Sequence, residues 1–115
     1  MIKRKNDMTS DSKSNMRGGD GIVTVTKTFE MGEYKGKARL IATITLEKGC
    51  SIGEHTHENE EEIFIVMQGV ATYDDNGTTV TLYEGDACLC SASQKHSLRN
   101  DGEKPLVVAA IILTY

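Results

Sequence analysis

From Gly21 onward the chain is cut by glycine, asparagine or aspartate about every eight to twelve residues, and no other feature constrains its fold as tightly. The segments between cuts are short, and several alternate apolar and polar residues with the period of two that one-sided burial of a strand produces. Ile22 to Phe29 is rich in Val and Thr, as strands are. Between Lys37 and Glu47 the even positions Ala38, Leu40, Ala42, Ile44 and Leu46 are all apolar. Gly49 and Gly53 bracket a turn. Glu62 to Gln68 is apolar at both parities, which predicts a strand buried on both faces. Asp74-Asp75-Asn76-Gly77 separates Val70–Tyr73 from Thr78–Tyr83, and its Asn-Gly pair supplies the positive φ that a two-residue hairpin turn demands. Ala87–Cys90, Lys95–Arg99 and Leu106–Leu113 complete the strands, with Pro105 just before the last, where its missing N–H does least harm. The pattern predicts an all-β sandwich or barrel with almost no helix.

Residues 1–16 are polar and mixed in charge, and they lack the apolar side chains whose burial would offset the entropy of ordering. They are expected to form a flexible N-terminal arm, with residues 17–115 as the barrel domain. A chain of 115 residues has room for one core. No apolar run approaches the roughly 20 residues needed to cross a bilayer, and the basic start at Lys3-Arg4-Lys5 is not followed by the apolar stretch of a signal peptide. Cys50, Cys88 and Cys90 form an odd set, so no disulfide framework is expected and a reducing cytoplasm fits. The net charge of −4 argues against nucleic acid, and Arg17-Gly18-Gly19 reads as a turn rather than as an RNA-binding repeat.

All three histidines fall at His55, His57 and His96. Residues two apart on a strand project from one face, whereas on a helix they diverge by about 200°, so His55 and His57 can converge on one ion. The acidic run Glu58 to Glu62 offers a carboxylate. Glu62 shares parity with Phe64 and Val66, and by parity alone Glu60 remains an equal candidate.

These residues sit in two patterns that resemble the cupin family. The first reads Gly49, five residues, His55-Thr56-His57, four residues, Glu62, six residues, Gly69; the second begins at Gly85 and ends at His96, three residues and Asn100. Ser91 and Ser93 stand where the family usually has proline and glycine, both in the loop before His96. The resemblance implies a single cupin barrel, a double-stranded β-helix or jelly roll. It also implies one divalent first-row ion (Fe, Mn, Ni, Co or Zn) held by His55, His57, Glu62 and His96, and so favours Glu62 over Glu60. Four protein ligands on an ion that takes six would leave two positions for water or substrate.

Phe64, Val66 and Leu98 share parity with ligands on their own strands and are expected in the pocket wall, with Asn100 as a structural or pocket residue. Arg39, Tyr73 and Arg99 are candidates for orienting an anion. Cys88 and Cys90 share a face near His96, but free cysteine behaves as a small buried hydrophobe and the core reading is preferred. The resemblance implies first a metal-dependent enzyme on a small polar molecule, of isomerase, lyase, decarboxylase or dioxygenase type. Second comes a ligand-binding or sensing module, and third a barrel merely braced by its metal. A homodimer is expected, by resemblance and because an edge such as Ile22–Phe29 is safest when paired.

Overall fold

The computed structural model describes all residues from 1 to 115. Ten strands follow in chain order: β1 (Thr9–Ser14), β2 (Ile22–Phe29), β3 (Ala38–Leu46), β4 (Ser51–Thr56) and β5 (Glu60–Gln68), then β6 (Ala71–Asp75), β7 (Thr78–Leu82), β8 (Ala87–Cys90), β9 (Lys95–Arg99) and β10 (Leu106–Thr114). Two single turns of 3₁₀ helix, Lys5–Asp7 and Met16–Gly18, are the sole helical elements. The strands pair antiparallel into a six-stranded sheet, β1-β2-β3-β10-β5-β8, and a four-stranded sheet, β4-β9-β6-β7. Their inner faces share one core. Val23, Ile44, Leu46, Phe64 and Val108 from the larger sheet meet Ile52, Tyr73 and Leu98 from the smaller. The architecture is a single jelly-roll barrel, all-β as the punctuation predicts and of the kind that the resemblance implies.

The expected hairpin forms between β6 and β7, with Asn76 and Gly77 both at positive φ (52° and 95°). Two strands were not fully foreseen. β4 begins inside the segment read as a glycine-bracketed turn and reaches His55, where a strand was expected; its start is hidden because its alternation is carried by polar residues and interrupted by a register shift between Ile52 and His55 in its pairing with β9. Such a bulge adds one residue and inverts parity. Ile52 therefore points inward at an even position and His55 at an odd one.

β1 is the second. Residues 9–14 were expected in a flexible arm, yet they pair in register with Ile22 to Lys27 of β2. All six are exposed, so this strand is held by its backbone ladder and by cross-strand hydroxyl pairs such as Ser10–Thr26 at 2.8 Å rather than by burial. Its continuation, Met16–Gly18, lies against β4 with a backbone approach that only glycine permits. A Cβ on Gly53 would sit 2.1 Å from the Arg17 carbonyl oxygen, and one on Gly19 2.2 Å from that of Ser51. β1 thus covers the β2 edge that was expected to seek a partner chain.

β5 also departs from expectation. Its inner face, Glu62, Phe64 and Val66, is buried, but Ile65 and Met67 on the outer face are 37% and 58% exposed. Nothing in the single chain covers that side.

Candidate metal centre

Four elements deliver the cluster. His55 lies in β4 beyond the bulge, one residue before its end, and pairs directly with His96 on β9; His57 lies one residue past β4; Glu62 stands on the inner face of β5. The same-strand argument for the two neighbouring histidines therefore holds for His55 alone. His57 is held in the following loop, where its N–H donates to the Gln94 carbonyl and its own carbonyl accepts from the Ser93 N–H. One ligating atom from each of the four residues lies within 4.8 Å of every other, and His57, Glu62 and His96 are buried.

Each imidazole is fixed through Nδ1. His55 Nδ1–H donates to the Gly53 carbonyl at 2.8 Å, and His57 Nδ1–H donates to the Glu60 carboxylate at 2.6 Å. The Tyr73 hydroxyl pairs with His96 Nδ1 at 2.8 Å, and Phe64 stacks on the His96 ring. A carbonyl and an ionised carboxylate only accept, so Nδ1 carries a proton in His55 and His57 and each ring turns Nε2 toward the centre, where loss of an Nε2 proton would free a lone pair for an ion.

At that centre the donors crowd. His96 Nε2 is 3.1 Å from Nε2 of both His55 and His57, while Glu62 Oε1 is 2.9 Å from His57 Nε2, 3.1 Å from His96 Nε2 and 3.8 Å from His55 Nε2. Lone pairs this close repel unless a cation or protons lie among them. With metal–ligand bonds of about 2.1 Å, donors at right angles sit about 3.0 Å apart and tetrahedral ones about 3.4 Å. Four of the five spacings match the right-angled value, and the donor set fits a six-coordinate divalent ion.

The electrostatics point the same way. Burial works against the Glu62 charge, but the imidazoles of His55, His57 and His96 outweigh it and hold the carboxyl well below the usual carboxylate range. Hydrogen bonding to Glu62 raises His57 against the effect of its burial, with a further contribution from Glu60. Burial lowers His96 despite Glu62. Glu60 is brought down to about 2, mainly by Arg39, whose Nε and Nη2 donate to its two oxygens at 2.9 and 2.8 Å.

A cavity of about 670 Å³ opens over this cluster, lined by His55, His57, Glu62 and Phe64 among others. Of the four expected wall residues, Phe64 alone lines it. Val66 and Leu98 have the predicted inward parity but lie deeper, in the core. Asn100 is buried away from the cavity, where its Nδ2 donates to the Leu46 and Lys104 carbonyls and its Oδ1 accepts from the Gly102 N–H. Arg39 lines the cavity, whereas Tyr73 acts on His96 and Arg99 is spent on Asp20 and Asp101. Cys88 and Cys90 face elsewhere, and burial pushes both thiols up to about 11. Sequence reasoning missed Glu60 and Tyr73 as partners of the histidines, and the cavity residues Asp11, Lys13 and Arg17 of the N-terminal segment. Parity marks which way a side chain points, not what it meets.

The cupin-domain model matches residues 42–112, which include all four cluster residues. An oxalate-binding protein of Thermotoga maritima is 36% identical over 113 residues, covering 98% of this chain and 93% of that protein. A crystal structure of a predicted oxalate decarboxylase from Thermotoga maritima superposes with a TM-score of 0.95 at 36% identity, each chain covered completely. The cupin domain of an XRE-family transcriptional regulator from Enterobacter cloacae shares the fold, with a TM-score of 0.70 at 23% identity over 81% of this chain and 96% of that one. With the barrel closed around the two motifs and the domain match running from β3 to β10, the chain is a small single-domain member of the cupin family.

Proposed function

We propose that His55, His57, Glu62 and His96 bind one divalent first-row ion, and that the protein takes a small carboxylic acid of the oxalate type onto that ion from the cavity. One observation carries the reading: His55, His57 and Glu62 themselves line the cavity, while His96 is wholly buried behind them. The protein donors thus occupy one side and the other faces open space. The 36% identity to an oxalate-binding protein supports the ligand class. The ion would supply Lewis acidity, polarising an oxygen bound to it. The chain's own residues orient the donors: Gly53 and Glu60 fix two imidazoles, Tyr73 the third, and Phe64 closes the floor against water.

Catalytic turnover is the second reading, favoured by the open side of the cluster. Both are tested by loading the protein with cobalt(II) and titrating oxalate while following the ligand-field absorption. Binding is expected at one oxalate per chain and is absent from the H96A variant. An unchanged spectrum on oxalate addition would refute the ligand assignment. Formate or carbon dioxide released above background would move the protein from binder to enzyme.

Two further features of the reading are a homodimer, supported by the uncovered apolar face of the larger sheet, and a reducing cytoplasmic setting, supported by three unpaired thiols. No helix is long and apolar enough to cross a membrane.

A further inference from the structure

The cavity is far larger than a two-carbon diacid of six heavy atoms requires, and its wall changes character with depth. Next to the cluster it is apolar and buried, with Val25, Ile44, Ile52, Phe64 and Ile112. At the mouth it is cationic: Lys13, Arg17, Lys27 and Arg39 line it, against Asp11 as the one carboxylate outside the cluster. Arg39 is committed to Glu60 by two hydrogen bonds. Lys13, Arg17 and Lys27 form no ion pair within 4.0 Å, whereas Lys3, Lys48, Lys95 and Arg99 elsewhere on the surface each pair with a carboxylate, so the charges at the mouth are free to meet an anion.

The placement of these cations follows from the fold. Cross-strand partners share a face, and Lys13 and Asp11 pair with Val23 and Val25, so β1 extends the inner face of the barrel outward past its apolar part. Arg17 is brought to the mouth by the glycine-mediated approach of Met16–Gly18 to β4. Three uncompensated positive charges around a concave opening with low-dielectric walls attract and retain anions.

We infer that the site selects acids with two separated anionic groups: one end chelates the ion, an apolar spacer lies along Val25, Ile44 and Ile112, and a terminal carboxylate is held by Lys13, Arg17 and Lys27. This rests on the reading of a metal-bound carboxylic acid and names the part of the ligand that reading leaves open. β1 is then a specificity element.

The test uses two probes with the same chelating head and length, 2-oxoglutarate and 2-oxopentanoate, titrated into cobalt-loaded protein at low ionic strength, with oxalate alongside. Exposed ion pairs contribute a few-fold each, so three should favour 2-oxoglutarate about tenfold. The advantage should shrink in 0.5 M salt, because screening acts within about 4–5 Å there. In the K13A/R17A/K27A variant it should fall to near one while bound cobalt stays at one per chain, a readout independent of any activity. Equal affinities for the two acids in the wild type, with oxalate still binding, would overturn this inference and leave the metal-site reading standing. So would a tenfold advantage that survives in the triple variant. Failure of every acid, oxalate included, would overturn both.

Discussion

Glu60 shows how one side chain serves both the charge balance and the geometry of the cluster. Its carboxylate accepts the Nδ1–H of His57 and is itself gripped by Arg39, so it sets the tautomer that turns His57 Nε2 toward the centre. Partners of this kind, acting behind the ligands, typically contribute 10–100-fold to metal affinity. Glu60→Gln is therefore expected to weaken cobalt or zinc binding by about that factor in competition with a chelator, whereas His57→Ala should abolish it. Acid titration adds an independent check. The folded carboxyl has its pKa lowered to about 2 from an ordinary 4.5, so its contribution to stability is full above 4.5 and is lost as pH falls toward 2. Metal-free Glu60→Gln should lose less stability than wild type across that window, and identical acid transitions would show that the contact adds nothing. The cluster residues were legible because motif spacing ties them together across the chain. Glu60 was not, since it shares the parity of Glu62 and only the bulge in β4 and the loop holding His57 decide which carboxylate meets Nε2 and which meets Nδ1.

Among the elements, strands with an apolar inner face could be read directly, as β3 was from Ala38 to Leu46, because burial writes its period into the sequence. β1 carries no such mark. It buries none of its side chains and exists because β2 offers an unpaired ladder beside it, a tertiary fact invisible to local pattern. An element held this way opens at low free energy. Backbone amides of Thr9–Ser14 that bond to β2 should exchange with deuterium much faster than those of β10, which is paired on both sides and buried on alternate residues from Leu106 to Ile112. Gly53→Ala should accelerate β1 exchange further, since its added Cβ would collide with the Arg17 carbonyl that anchors the segment. Equal protection of β1 and β10, measured by mass spectrometry after brief labelling, would contradict this account of what holds the N-terminal strand.

For the whole molecule the open question is what covers the outer face of the larger sheet. Ile41, Ile111, Ile63 and Leu89 lie in one row across β3, β10, β5 and β8, and Thr43, Ala109, Ile65 and Ala87 form the next. A strand apolar at both parities was expected to be buried on both faces, and β5 has found only one. Leu89, Ile65 and Met67 on this face are 51%, 37% and 58% exposed, values that a monomeric protein tolerates singly but rarely together on one sheet face. β1 covers the β2 edge with a polar, fully exposed strand, whereas the apolar side chains left uncovered lie on the outer face, so face-to-face packing of two copies buries more apolar surface than edge pairing would. Such an isologous contact would restore the missing layer with the same residues on both sides. Light scattering is expected to give twice the 12.6 kDa chain mass at micromolar concentration. Ile65→Lys combined with Leu89→Lys should give a monomer, because two like charges per copy would be buried against their symmetry mates without partners. Both positions point away from Glu62 and Phe64, so the monomer should bind cobalt and oxalate as the wild type is proposed to do. A wild-type protein that stays monomeric at tens of micromolar would overturn the dimer, and a double variant that remains dimeric would place the interface elsewhere.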